Sequence, residues 1–289
     1  MTNRFDTISF LSDFGLRDEF VGVVHSVIRS ISPHVEVIDI THGITRHDTR
    51  AGGLALARAA NYLNPGVVLA VVDPGVGTSR RRVAVEVGDG MSILVGPDNG
   101  LLAPAVGLVG GATRAVELTS EDHRLPSLGS TFDGRDIFAP AAAHLCNGLS
   151  MTDLGPEIDP ATLVPGVLPV SREEGGDLIG EVLWVDGFGN CQINIDPAEI
   201  VALGDGIQLT HGDQISRAVK CDAYDQITVG RVGLVIDSSG LLSIAVARSS
   251  AADELGLAEG SEVRLSSVDD SGAPATSTPI SLRTRGDNR

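Results

Sequence analysis

The chain has 289 residues, 42% hydrophobic and 20% charged, which describes a soluble globular protein with room for two domains or one large one. Its formal net charge is −17 and Lys220 is its only lysine; so acidic a surface repels phosphate backbones and anionic membranes, which sets aside nucleic-acid and membrane-surface partners. No apolar stretch approaches the roughly 18 residues of a membrane span, and Cys146, Cys191 and Cys221 are odd in number and far apart, indicating neither a disulfide framework nor a zinc site.

The amino terminus, MTNRFDTISFLSDFG, lacks a signal-peptide pattern and enters a strand directly, so the cytoplasm is the expected compartment. Thr7 to Ser12 predicts that strand, running into Ser12-Asp13-Phe14-Gly15. From Arg17 onward, Phe20, Val23, Val24, Val27, Ile28 and Ile31 fall at helical spacing, so a helix packs one face on a sheet. Asp13 then stands at a strand end and Asp18 in the first helical turn, where the helix dipole alone would account for an aspartate. Val35 to Ile40 predicts a second strand, and Asp48 to Leu63 an alanine-rich helix stopped by Asn64-Pro65-Gly66.

Val67 to Val72 is a β-branched apolar run bounded by Pro-Gly, the pattern of a strand buried on both faces of a parallel sheet. It ends on Asp73, followed by the turn Pro74-Gly75-Val76-Gly77 and then Arg80, Arg81 and Arg82. Open α/β sheets carry their chemistry at the carboxyl ends of strands, which makes this stretch a candidate site. An ordinary strand and turn with a solvated acid fits the same residues. Val83 to Val87 and Ser92 to Val95 predict two strands around a Gly-Asp-Gly turn. Gly96-Pro97-Asp98-Asn99-Gly100 leads into an apolar helix-like segment, and Thr131-Phe132-Asp133-Gly134-Arg135-Asp136 opens a helix over Ile137 to Leu145. The expected first domain, 1–168, is therefore an α/β layered unit with a mostly parallel sheet.

Pro156, Pro160, Pro165 and Pro169, then Gly175-Gly176, mark an irregular connector. Beyond it, Gly180 to Asp186, Cys191 to Ile195, Gln226 to Ile236, Leu241 to Ala247 and Glu262 to Leu265 predict short strands with glycine turns. That is an all-β module of barrel or sandwich type over 178–267, ending in a polar tail at 268–289.

Familiar catalytic motifs are missing. Gly75-Val76-Gly77 lacks a third glycine and leads into a strand pattern, so it is no dinucleotide loop. His42, His47 and Asp48 fit turn and capping roles better than metal ligands. Ser12, Ser130 and Ser238 have no nucleophile-elbow context. Acids and amides at turns remain: Asp13, Asp18, Asp73, Asp98, Asn99, Asp133, Asp186 and Asn190. Phe188, flanked by glycines at a strand end, suits either stacking on a flat ligand or plugging a barrel corner.

LSDFGLRDEFVG, VVDPGVGTSRR, GPDNGLL, STFDGRDIFAP, VDGFGNCQINI and SSGLLSIAVARSSA, in this order across most of the chain, resemble the S-adenosylmethionine (SAM) hydroxide adenosyltransferases, which are homologous to the fluorinase and chlorinase. The resemblance implies an α/β domain followed by a β-barrel domain, a homotrimer with sites between neighbouring subunits, and hydrolysis of SAM to adenosine and L-methionine without a cofactor or metal. It implies that Asp13 holds both ribose hydroxyls, that Asp18, Asp186 and Ser238 contact the methionine end, and that Phe188, Asn190 and Arg248 contact adenine. Asp73 and Arg80 match two members of an Asp-Arg-His triad around the attacking water. The third departs, because the family commonly reads TFHGRD where this chain has TFDGRD, placing Asp133 in the histidine's position. A chlorinase-like halogenase and a non-catalytic SAM or adenosine binder are the alternative readings.

Overall fold

The computed structural model describes residues 5–268 except 128 and 205; the polar tail expected from 268 lies, from 269 onward, outside the described residues. Contacts divide the chain into a unit ending at Leu168 and a second beginning at Pro169.

In the first unit β1 (Thr7–Ser12), β2 (Glu36–Thr41), β3 (Val67–Val71), β4 (Arg82–Val87), β5 (Ser92–Pro97), β6 (Ala112–Glu117) and β7 (Glu157–Ile158) form one sheet in the order β2-β1-β3-β5-β4-β6-β7. The β2-β1-β3-β5 part is parallel, whereas β4 runs antiparallel to β5 and β6, so the sheet is mixed. All of β3 is buried, and the strand's two-residue period divides it cleanly. Val67, Leu69 and Val71 face a core with Val24 and Ile28 of α1 (Phe20–Ile31) and Leu145 of a later helix, Ala139–Cys146. Val68 and Ala70 face the opposite core, with Leu56 of α2 (Thr49–Ala60) and Ala105 of α3 (Ala103–Leu108). The helix Ala139–Cys146 is α4, and a one-turn α5 (Met151–Leu154) follows it.

Two local expectations need correction. The helix α1 starts at Phe20 rather than Arg17, so Asp18 lies in the preceding loop, outside any helical turn. Gly15 N–H donates to the His42 carbonyl at 2.8 Å, which holds this loop to the end of β2 and delays the helix. The expected helix over Ile137 to Leu145 opens instead with a π-turn, Gly134–Phe138, before α4 begins.

The second unit contains β8 (Arg172–Glu174), β9 (Asp177–Val185), β10 (Cys191–Ile193), β11 (Ile207–His211), β12 (Gln214–Cys221), β13 (Val232–Ile236), β14 (Leu242–Val246) and β15 (Glu262–Ser267), with a short helix α6 (Ala251–Leu255). The order β10-β14-β13-β12-β11-β15-β9 closes on itself through β9–β10 pairing: a seven-stranded barrel with β8 added beside β9. Inward residues such as Val182, Ile193, Leu209, Leu234, Ile244 and Leu265 fill it. The run expected as one strand from Gln226 is a turn until Val232, and β15 runs on to Ser267, two residues past the strand end expected at Leu265. Among the described residues, no helix is long and apolar enough to cross a membrane.

Candidate active site

Strands β1 and β3 are parallel neighbours in register, Ser12 beside Val71, so the chain leaves both at the same edge of the sheet. Asp13 and Asp73 therefore emerge together at the carboxyl ends of the strands. Asn99 fixes this edge, its Nδ2 donating to the Val72 carbonyl at 2.9 Å. His47, in a left-handed conformation with φ 67°, donates its N–H to Asp13 Oδ2 at 2.9 Å. Asp13, Asp18, Asp73 and Asp133 line one cavity of about 360 Å³, together with Phe14, Phe20, Arg46, His47 and Phe132.

Arg80 lies behind Asp73 and ties it to Asp133. Its Nε donates to Asp73 Oδ1 at 3.0 Å, Nη1 donates to the Arg81 carbonyl at 2.9 Å, and Nη2 donates to Asp73 Oδ2 and, at 2.9 Å, to Asp133 Oδ2. The side chains of Asp73, Arg80 and Asp133 are only 6%, 9% and 5% exposed, so these pairs are shielded from solvent screening. Burial pushes the Asp73 carboxyl above the ordinary aspartate value; Arg80 opposes that shift, Asp133 adds to it, and the upward direction wins. Asp73 is thus a carboxylate that accepts a proton more readily than one in water.

The turn carrying Asp133 packs tightly under the cavity. A Cβ at Gly134 would lie 2.9 Å from Phe14 Cζ and 3.2 Å from Phe132 Cε2, so glycine is required for this approach. Phe14, Phe20 and Phe132 meet edge to face, with centroids 5.1–6.0 Å apart. Their sequence signal is their position beside the acidic motifs, which identifies no role before the loops are folded.

Sequence reasoning left Arg82 without a role. Its Nε donates to Asp133 Oδ2 at 2.7 Å, on the same oxygen that accepts from Arg80. Arg81 goes elsewhere, from Nε to Asp98 Oδ2 at 2.8 Å and from Nη1 to Thr162 Oγ1 at 3.1 Å.

The residues weighed as metal ligands separate. Asp48 caps α2 by accepting from Ala51 N–H at 2.8 Å, and His42 is buried with Nδ1 2.8 Å from Ser12 Oγ. The nitrogen-and-carboxylate grouping that does form joins His25, Asp39 and His42, with Asp39 Oδ1 2.8 Å and 3.0 Å from the two Nε2 atoms. The His25 contact is a hydrogen bond, whereas the His42 contact is proximity alone, His42 Nε2 making no hydrogen bond among the described residues.

In the barrel unit the β9–β10 hairpin carries Asp186, Phe188 and Asn190 on one tight loop. Asp186 Oδ1 accepts from Phe188 N–H at 2.8 Å and Asn190 N–H at 2.9 Å, and Oδ2 accepts from Asn190 Nδ2 at 2.8 Å. Phe188 is left 83% exposed, a free aromatic face rather than a plug for a barrel corner. Gly189, with φ +83°, needs glycine twice over, because a Cβ would also run into Ser250. Arg248, at φ 59°, follows the end of β14 that pairs toward Asn190, whereas Ser238 lies in the loop joining β13 to the other end of β14. Tyr224, unnoticed in the sequence, bonds to Ser243 and has its phenol pushed up first by burial, then by Asp237 and Asp186.

Comparison with known proteins finds matches in both units. Residues 8–155 match the SAM hydroxide adenosyltransferase N-terminal domain, and residues 180–264 match the C-terminal domain. A protein of Salinispora tropica named (R)-S-adenosyl-L-methionine hydrolase is 42% identical over 258 residues, 89% of this chain and 97% of that one. A fluorinase of Actinopolyspora mzabensis is 28% identical over 89% of this chain and 96% of its own. The crystal structure of an uncharacterized conserved protein from Thermotoga maritima superposes with a TM-score of 0.83 at 33% identity, covering 90% of this chain and 99% of that one. The chain belongs to the SAM hydroxide adenosyltransferase family.

Proposed function

We propose that the protein hydrolyses SAM to adenosine and L-methionine by in-line attack of water on the ribose 5′ carbon. The observation that carries this reading is the shielded Asp73–Arg80–Asp133 linkage at the wall of a cavity that also holds Asp13. An ionised Asp13 accepts both hydroxyls of a cis-diol. Asp18, Asp186 and Ser238 take the methionine end, and acidic groups suit a substrate carrying a sulfonium and an ammonium. Phe188 offers its exposed ring to adenine. Asn190 spends one N–H on Asp186 and keeps its carbonyl and second N–H for the base edge, with Arg248 beside it. Asp73 accepts the proton of water as the C5′–O bond forms and the C5′–S bond breaks toward sulfur. The departing thioether is neutral and needs no acid, and positioning for in-line attack supplies about 7–11 kcal/mol. Substrate, water and these side chains complete the reaction without a cofactor or metal.

Binding motifs in both units fit a homotrimer that completes each site between neighbouring copies. The three cysteines are unpaired, with Cys146 and Cys191 thiols pushed up to about 12 and about 11 by burial, which suits a reducing cytoplasm. A halogenase fits less well. Arg80 spends four of its five N–H donors on protein oxygens, and the Asp73 carboxylate beside it repels an anion. Purified protein incubated with SAM in chloride buffer, then chromatographed, tests all three readings. Adenosine and methionine are expected. 5′-Chloro-5′-deoxyadenosine as the main product would make it a halogenase, and saturable SAM binding without turnover would make it a binder.

A further inference from the structure

Three successive arginines divide between two destinations as the chain enters β4. Arg81 leaves its two neighbours and holds Asp98 and Thr162. Arg80 and Arg82 then converge on a single oxygen, Asp133 Oδ2, at 2.9 Å and 2.7 Å. Counting formal charges, Asp73 and Asp133 face Arg80 and Arg82, so the group is balanced only when Arg82 is included. A single guanidinium between two buried carboxylates would leave one charge poorly compensated. A histidine in the position of Asp133 would not create that demand.

We propose that Arg82 is a positioning residue of the hydrolytic site: it holds Asp133 against Arg80 so that the Arg80 fork stays locked on Asp73, the acceptor of the water proton. Arg82 and Asp133 act as one unit behind the acceptor. This rests on the hydrolase reading and adds a residue to it. The water oxygen forms its bond to C5′, the C5′–S electron pair leaves on sulfur, and the released proton goes to Asp73. The remaining ionisable groups around the cavity are Asp13, Asp18, Arg46 and His47, and the Gly134–Phe138 turn adds the Arg135–Asp136 pair.

The test uses Arg82→Gln and Arg82→Lys in the native chain, Asp133→His alone, and Arg82→Gln combined with Asp133→His. Arg82→Gln should lower kcat about 10- to 100-fold, the scale of a displaced catalytic group, with KM within twofold. The acid limb of its pH profile should move upward, because two carboxylates then share one arginine. Arg82→Lys, which keeps the charge, should recover most of the rate. In the Asp133→His background Arg82→Gln should change neither kcat nor the acid limb. A native-background Arg82→Gln protein with the parent rate and profile, or equal losses in both backgrounds, overturns the proposal. Parent protein releasing no adenosine would sink the hydrolase reading instead. Urea unfolding of the same four-protein cycle judges the Arg82–Asp133 linkage without turnover, and zero coupling there overturns it as well.

Discussion

Asp73→Asn separates the chemistry of the site from its stability. The side chain is 6% exposed and receives two guanidinium hydrogen bonds from Arg80. Asparagine keeps the shape, but its amide presents a donor to one Arg80 donor, losing a charge-assisted bond worth about 1.5–3 kcal/mol. Against this, a charge whose ionisation burial disfavours disappears, while Arg80 and Arg82 are left with Asp133 alone. The terms oppose, so unfolding free energy should move by less than about 2 kcal/mol. Catalysis has no such offset. Removing a positioned proton acceptor costs about 10²–10⁴ in rate, or about 3–5 kcal/mol of barrier. The acceptor must be unprotonated to work, and burial raises Asp73 above its ordinary value. Parent activity should therefore fall as pH drops through that raised value, and the residual activity of the variant should lack this limb. The linkage sign is set likewise: a raised carboxyl value means that protonation favours the native state, so Asp73 costs stability at neutral pH. The parent should gain on the variant as acid removes that cost. Adenosine release at saturating SAM and urea unfolding, each run from acid to neutral pH, measure both. A folded variant retaining kcat within threefold of the parent would refute Asp73 as the acceptor.

Asp13→Ala removes the proposed diol acceptor and the anchor for His47 N–H, so KM should rise at least about tenfold for each lost charged hydrogen bond; steady-state kinetics with an unchanged KM would contradict this. Gly134→Ala forces a Cβ to 2.9 Å from Phe14 Cζ and should cost about 1–3 kcal/mol, read from the urea midpoint. Gly189→Ala strains φ +83° and pushes against Ser250, displacing the loop of Asp186, Phe188 and Asn190. Calorimetric SAM affinity should fall at least tenfold, and parent-like affinity would remove that loop from the binding reading.

The fold was legible where burial writes a period into the chain. The unbroken apolar run Val67–Val71 reports its two covered faces, and Val24 and Ile28 report one helical face. Strands β11 and β12 were missed because their outward positions carry polar residues such as Gln208 and Arg217, which dilute the apolar signal. The π-turn at Gly134–Phe138 leaves no periodic trace, and the close approach of Phe14 to Gly134 comes from distant sequence. The acids that line the cavity, Asp13, Asp18, Asp73 and Asp133, stood out because they sit at strand ends and turns. Their partners did not. That Arg80 and Arg82 go to Asp133 while Arg81 goes to Asp98 follows from chain direction and from contacts 51 and 53 residues away.

The central claim is that water attacks the 5′ carbon of SAM. Turnover in ¹⁸O-enriched water, with mass spectrometry of both products, tests it most directly. The account predicts one ¹⁸O in the 5′-hydroxyl of adenosine and none in the methionine. Adenosine without label, or a nucleoside carrying another substituent at the 5′ position, would contradict it.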